Sequence, residues 1–253
     1  TDYDADGTEK DMPEISFTKK KLTKKYGNAD YKYEVTTNST GKVVYRSSNT
    51  AVAEPDQFGY ITIKKAGSCT ITARVAADAN YKSASAGYQL VVSKKDMTKK
   101  KVKLSKTSYI YAGKNCKPKA VVSGLARSDY KVTYKNADKP GTAICVITGK
   151  GNYSGKIEVP YSINLAKTVI TKITNKKSGV SLTWKKVAGA KGYRIYRRTK
   201  NGSWKRIREL TSGKKVSFTD KTAKSGKTYE YRVRAKCNKT YGSYSKKIKL
   251  KKK

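Results

Sequence analysis

Residues 179–198, GVSLTWKKVAGAKGYRIYRR, alternate strictly, turn through a short Gly/Ala-rich stretch, and alternate again. Val180, Leu182 and Trp184 fall on one face, and beyond the turn Tyr193 and Ile195 do the same. Successive side chains of a strand point to opposite faces, so this period of two specifies a pair of half-buried antiparallel strands. The remaining chain repeats the same grammar of short strands and polar turns, and no apolar stripe at helical spacing is sustained. The expected fold class is all-β, and 253 residues suit two or three sandwich domains.

Charge narrows the function classes. The chain carries 58 Lys+Arg against 18 Asp+Glu, a net charge of +40. Six of the acids (Asp2, Asp4, Asp6, Glu9, Asp11, Glu14) lie in the first fourteen residues, leaving 57 bases against 12 acids beyond them. Such a body repels itself, stays soluble and attracts polyanions. Only ten of the bases are Arg, and the lysines are scattered over turns and outward strand positions. That pattern reads first as a solvated coat that also blocks edge-to-edge strand pairing. A nucleic-acid surface is disfavoured, because it calls for clustered Arg and base-stacking platforms.

There is no His, which removes the commonest general base and the commonest metal ligand together. No apolar run approaches membrane-spanning length, so membrane insertion is not expected. The chain starts at Thr1 without Met or signal peptide, as expected of a mature product or excised fragment. Asp2, Asp4 and Asp6 with Gly7 copy the first half of a calcium-binding loop, but position 12 is Pro13 and no helix pattern flanks it. Residues 1–13 therefore read as an acidic flexible tail with no metal. Cys69, Cys116, Cys145 and Cys237 show no CxxC spacing.

In order, strands are expected near 15–18, 31–36, 43–47, 51–54, 60–63, 68–76 and 86–92, making a first domain over 14–95. A shorter second domain, 96–165, has strands near 101–111, 116–122, 129–135, 141–148 and 156–164. It repeats the first at an offset of 72–74 residues: Asn80-Tyr81 matches Asn152-Tyr153, and Tyr88 with Leu90 matches Tyr161 with Ile163. A third domain over 166–253 ends in a Lys-rich tail, Lys246 to Lys253.

Residues 45–85, YRSSNTAVAEPDQFGYITIKKAGSCTITARVAADANYKSAS, resemble the bacterial immunoglobulin-like domains of exported Gram-positive proteins. The second unit is similar to related modules carrying "Y.GK..kP" followed by "DY.v.Y…GtA.v.itGkGnYtG". The third resembles a fibronectin type III domain throughout. There the resemblance implies that Trp184, Tyr193, Ile195, Tyr231 and Val233 fill the core, with Tyr229 at the tyrosine corner, its hydroxyl bonded to loop backbone.

Catalysis has little to draw on. Hydrolysis of glycans wants two carboxylates, one with a raised pKa, whereas these acids are scattered among lysines that lower theirs. Ser and Cys lack a His partner, and no phosphate-cradling glycine loop occurs, so no catalytic residue and no cofactor are expected. Cys116 and Cys145 share one unit on core-facing strands, where either an inter-sheet disulfide or two free buried thiols would fit. A Lys–Asn or Lys–Asp cross-link, a device of surface domains that these resemble, is disfavoured by the shortage of acids.

The sharper feature lies in the third domain. If Tyr193 and Ile195 face inward, Arg194, Tyr196 and Arg198 face out; if Tyr231 and Val233 face inward, so do Arg232 and Arg234 face out. In a fibronectin-type sandwich these strands are neighbours, flanked by the strand bearing Trp204, Arg206 and Arg208. The arrangement reads either as a structural cation–π ladder or as a face for polyanions or glycans. The expected function is a non-catalytic stalk or tether in an extracellular or cell-surface bacterial protein, a monomer that spaces or attaches upstream domains. The alternative is an accessory binding module for anionic wall polymers or glycans.

Overall fold

The computed structural model describes residues 2–253; Thr1, at the head of the expected tail, lies outside the described residues. The chain is all-β, built of β-sandwiches, and the described residues form 25 strands and one short 3-10 turn at Arg127–Asp129. Among the described residues no helix is long and apolar enough to cross a membrane. It forms two compact units. One holds residues through Lys100 with Gly124–Lys131 and Thr148–Ile157; the other holds Lys101–Ser123, Val132–Ile147 and Glu158–Lys253.

The first unit begins with β1 (Ile15–Ser16), β2 (Lys21–Lys25), β3 (Tyr31–Lys32), β4 (Thr36–Thr37) and β5 (Val43–Ser47). It continues with β6 (Ala53–Pro55), β7 (Tyr60–Ile63), β8 (Gly67–Val75), β9 (Ala84–Ser93) and β10 (Lys95–Asp96). A sheet in the order β2-β9-β8-β5 packs with a sheet β3-β7-β6. Between them lie Phe17, Val52, Ile61, Ile71, Tyr88 and Leu90. The core is inward because β8 and β9 alternate without a break: Cys69, Ile71, Ala73 and Val75 on one, Tyr88, Leu90 and Val92 on the other, are all buried.

Two expectations change here. β2, KLTKK, has one apolar residue among lysines and carries no strand pattern of its own. It pairs parallel to β9, Leu22 opposite Leu90, because the edge of that sheet supplies the hydrogen bonds its side chains do not advertise. The acidic stretch 2–13 is not a flexible tail. It closes on itself through a Tyr3–Glu9 bridge and joins the first unit through an Asp11–Tyr81 bridge and the Lys82–Glu9 ion pair. Asp4 and Asp6 both turn an Oδ1 onto the Thr8 N–H, at 2.8 and 3.0 Å, which commits them to a turn. Among the described residues no group of three or more Cys, Asp or Glu is placed to hold a metal ion.

Next come β11 (Val102–Leu104), β12 (Ser108–Ile110), β13 (Ala120–Val122), β14 (Tyr130–Lys135), β15 (Gly141–Gly149), β16 (Tyr153–Ser154) and β17 (Lys156–Asn164). The strand expected over 101–111 is two strands. β11 pairs antiparallel with β13, and β12 joins the other sheet, parallel to β17, with Tyr109 opposite Ile163. The chain changes sheet between Leu104 and Ser108, where Ser105-Lys106-Thr107 interrupts the apolar phase set by Val102 and Leu104. The parallel edge strand on the last strand recurs in both halves of the sequence repeat, β2 on β9 and β12 on β17. Cys69, Cys116, Cys145 and Cys237 are free and buried, so the bridge weighed between Cys116 and Cys145 is not formed. Both thiols are pushed up in pKa by burial.

The C-terminal sandwich consists of β18 (Ile170–Lys176), β19 (Gly179–Trp184), β20 (Gly192–Thr199), β21 (Lys205–Leu210), β22 (Ser217–Asp220), β23 (Thr228–Cys237), β24 (Thr240–Tyr241) and β25 (Ile248–Lys251). One sheet runs β18-β19-β22, the other β21-β20-β23-β24, with β25 also on β23. Trp184, Tyr193, Ile195, Tyr229, Tyr231 and Val233 all lie in the core between them. Trp184 and Tyr193 rings meet at 5.2 Å, and the Val187 N–H donates to Tyr193 Oη at 3.0 Å, which ties the 185–191 turn to the core. The residue before that tyrosine has to be glycine: a Cβ on Gly192 would stand 2.0 Å from the Leu210 carbonyl oxygen. The Tyr229 hydroxyl accepts from the Lys224 N–H at 3.2 Å. Residues 246–253 are no loose tail; Ile248 pairs with Tyr231 and Lys252 is buried.

Candidate functional site

β20 and β23 run side by side with Arg194 opposite Arg234, Tyr196 opposite Arg232, and Arg198 opposite Glu230. Tyr193, Ile195, Tyr231, Val233 and Ala235 take the inward positions, so Arg194, Tyr196, Arg198, Arg232 and Arg234 share the outward face by alternation alone. Like charges directly opposite one another destabilise a sheet. Here the repulsion is relieved by rings set between the guanidiniums.

The rings come from three places. Tyr241 on β24 has Arg194 at 4.6 Å and Arg234 at 4.3 Å from its centroid. Tyr244, just beyond β24, has Arg232 at 3.7 Å and Arg234 at 4.7 Å. Trp204, before β21, has Arg232 at 4.3 Å and Arg198 at 4.8 Å. Tyr196 has both Arg232 and Arg234 at 5.5 Å and meets the Tyr244 ring edge-on at 5.3 Å. Each contact is worth roughly 0.5–1 kcal/mol where exposed, and the set forms one continuous array. Burial opposes ionisation of the Tyr196 phenol, but hydrogen bonds with Tyr244 and Arg234 outweigh it and lower its pKa.

Two carboxylates complete the face. Glu209 on β21 binds Arg194 Nε at 2.7 Å and Arg206 Nη1 at 3.0 Å, and also pairs with Lys236. Lys236 and Arg194 together hold its carboxyl down at about 2. Glu230 on β23 takes Arg198 Nε at 2.6 Å and Lys247 Nζ at 2.9 Å, and these two cations hold it below the usual carboxylate range.

Of the expected face, Arg194, Tyr196, Arg198, Trp204, Arg206, Arg232 and Arg234 are brought together. Arg208 is not. The pairing of β20 with β21 shifts register between Ile195 and Tyr196, so that Ile195 faces Arg208 and Tyr196 faces Arg206. The extra residue, Ile207, packs on the core, and Arg208 falls in phase with Leu210 rather than with Arg206. Sequence reasoning missed Tyr241, Tyr244, Glu209 and Glu230. The Tyr241-Gly-Ser-Tyr244 spacing directly after β23 was the available signal, since a strand turning back along β23 must present rings beside its arginines.

Elsewhere the surface offers little chemistry. A cleft of the first unit, about 720 Å³, is lined by Lys42, Arg46, Thr72, Arg74 and Ser85, with Asp2 its one acid.

The immunoglobulin-like domain family of intimin matches residues 34–78. No curated protein matches the chain. Among solved structures, the FN1–FN3 domains of chicken CNTN1 are 13% identical, cover 96% of this chain and 100% of that one, with a TM-score of 0.32. A titin segment is 14% identical over 94% of this chain and 98% of its own, with a TM-score of 0.30. The twitchin kinase region of C. elegans is 22% identical over 35% of this chain, which spans 16% of that one, with a TM-score of 0.28. Likenesses at these TM-scores say nothing further about this chain; what it shows by itself is an all-β set of sandwiches with an immunoglobulin-like stretch in the first unit.

Proposed function

We propose that this chain is a non-catalytic run of β-sandwich modules in a bacterial surface or exported protein, where it spaces or attaches another part of that protein. Three modules are proposed, over 14–95, 96–165 and 166–253. The observation that carries the reading is the state of the acids. The carboxyls of Asp6, Glu9, Glu34, Asp78, Asp96, Glu209, Asp220 and Glu230 are all held below the usual carboxylate range by hydrogen bonds and neighbouring cations. A general acid or base working near neutral pH requires a carboxyl shifted the other way. The intimin-type match at 34–78 supports a surface setting, and the resemblance of residues 45–85 favours a Gram-positive one. Labelling intact cells with antibody to this chain tests the proposal. Signal on unbroken cells is expected, and replacing the chain by unrelated sandwiches of equal length should leave the attached portion exposed. Labelling that appears only after lysis would overturn it.

A further inference from the structure

On the outward face of the C-terminal sandwich, seven cations (Arg194, Arg198, Arg206, Arg232, Arg234, Lys236, Lys247) surround two carboxylates. Both carboxylates are committed to the flanking cations. Arg232 and Arg234, at the centre, have no carboxylate partner among the described residues. Arg234 Nη2 donates to Tyr196 Oη at 3.1 Å. The Nε atoms of both arginines are enclosed with no acceptor at all. Rings attract a guanidinium through its face but do not accept its in-plane N–H groups, so these enclosed donors keep their desolvation penalty. An anion meeting the Nη ends of these half-buried guanidiniums would supply the countercharge that the fold leaves out.

The rings also restrict what that anion can be attached to. Tyr196, Trp204, Tyr241 and Tyr244 each already have two guanidiniums within 5.5 Å of the centroid. They are filled as cation–π partners and are not the open platforms on which bases or neutral sugars stack. Recognition is left to charge and to forked N–H donors, which match tetrahedral oxyanions. Because Arg194 lies opposite Arg234 and Tyr196 opposite Arg232, the guanidiniums form a row along β20 and β23, suited to repeated charges.

We propose that Arg232 and Arg234, flanked by Arg194 and Arg198, bind the phosphate or sulfate groups of an anionic polysaccharide. This adds a binding activity to the spacer role and does not rest on it.

The test follows the Arg Nε–H resonances of the full chain by NMR in about 0.15 M salt, which screens the scattered lysines. The probes are a sulfated oligosaccharide, a phosphorylated oligosaccharide and a single-stranded oligonucleotide. Saturable shifts at Arg232 and Arg234 are expected with one or both oligosaccharides, and which of them binds assigns the group. R232K/R234K, which keeps the charge but loses the fork, should weaken binding about tenfold or more, whereas K19Q/K20Q at exposed lysines outside the array should change it less than about twofold. R232K alone serves if thermal denaturation shows the double variant unfolded. Equal affinity in the Lys variants, shifts spread over the lysines without saturation, or tightest binding by the oligonucleotide would each overturn the assignment.

Discussion

The Tyr231 hydroxyl donates to Asp220 Oδ2 at 2.8 Å in the interior of the C-terminal sandwich, and Arg197 Nη1 reaches the same oxygen at 2.7 Å. Asp220 ends β22 of one sheet, whereas Tyr231 and Arg197 belong to β23 and β20 of the other. A buried charge is thus matched across the two layers, with Thr222 N–H and Oγ1 satisfying Asp220 Oδ1 at 3.0 and 2.7 Å. Burial disfavours the ionised carboxyl, but the bonds from Thr222, Tyr231 and Arg197 prevail and lower its pKa; the same burial pushes the Tyr231 phenol up.

Removing one member of a buried pair leaves the other uncompensated. Asp220→Ala should therefore cost about 3–5 kcal/mol, whereas Asp220→Leu with Arg197→Met should cost less than the single change. Denaturant unfolding followed by the fluorescence of Trp184, which sits in this core, measures both. A single-variant loss below about 1 kcal/mol would show that Arg197 finds another partner in solution.

Acid should destabilise this sandwich through identifiable groups. Asp220, Glu209 and Glu230 all have folded pKa values below the ordinary one, with Glu209 at about 2. Groups depressed in the folded state contribute fully above the unfolded pKa of about 4 and lose that contribution as pH falls through the folded values. The denaturation midpoint should hold steady above about pH 4 and fall between there and about pH 2. A midpoint unchanged across that range would contradict the ion pairs drawn here.

Gly179 opens β19 with φ +138°, and a Cβ there would stand 2.2 Å from the Asp220 carbonyl oxygen. Gly179→Ala meets both a forbidden backbone region and another strand's main chain, so a loss of about 1–3 kcal/mol is expected. Thermal melting of the variant against Gly226→Ala separates the two causes. Gly226 shares a positive φ of +76° but has open space around its Cβ.

The four cysteines, free and buried, should be unreactive toward a thiol-specific reagent in the native state and take four labels per chain in denaturant without reductant. Two labels in denaturant would instead reveal a disulfide, with Cys116 and Cys145 the pair to examine by peptide mapping.

Much of the C-terminal sandwich is legible residue by residue. Trp184, Tyr193, Ile195, Tyr231 and Val233 follow from alternation, and the outward positions of Arg194, Arg198, Arg232 and Arg234 follow from the same parity. Arg208 escapes that logic because one extra residue, Ile207, resets the phase of β21. β2 escapes it because a lysine-rich edge strand is held by its neighbour's backbone, and backbone hydrogen bonding leaves no mark on side-chain pattern. Arg197, in the inward phase at the end of β20, is explained only by an acid 23 residues away.

The sequence by itself determines the class, the direction in which side chains point on the strands that alternate without a bulge, and the excess of positive charge, because a period of two and a count of lysines are local properties. Tertiary structure alone decides that Glu209 and Glu230 neutralise the edges of the arginine face, that Tyr241 and Tyr244 fill the gaps between guanidiniums, and that Arg232 and Arg234 have no countercharge among the described residues. Those pairings join residues from separate strands, and their partners are chosen by strand order and register, which no single stretch of the chain encodes.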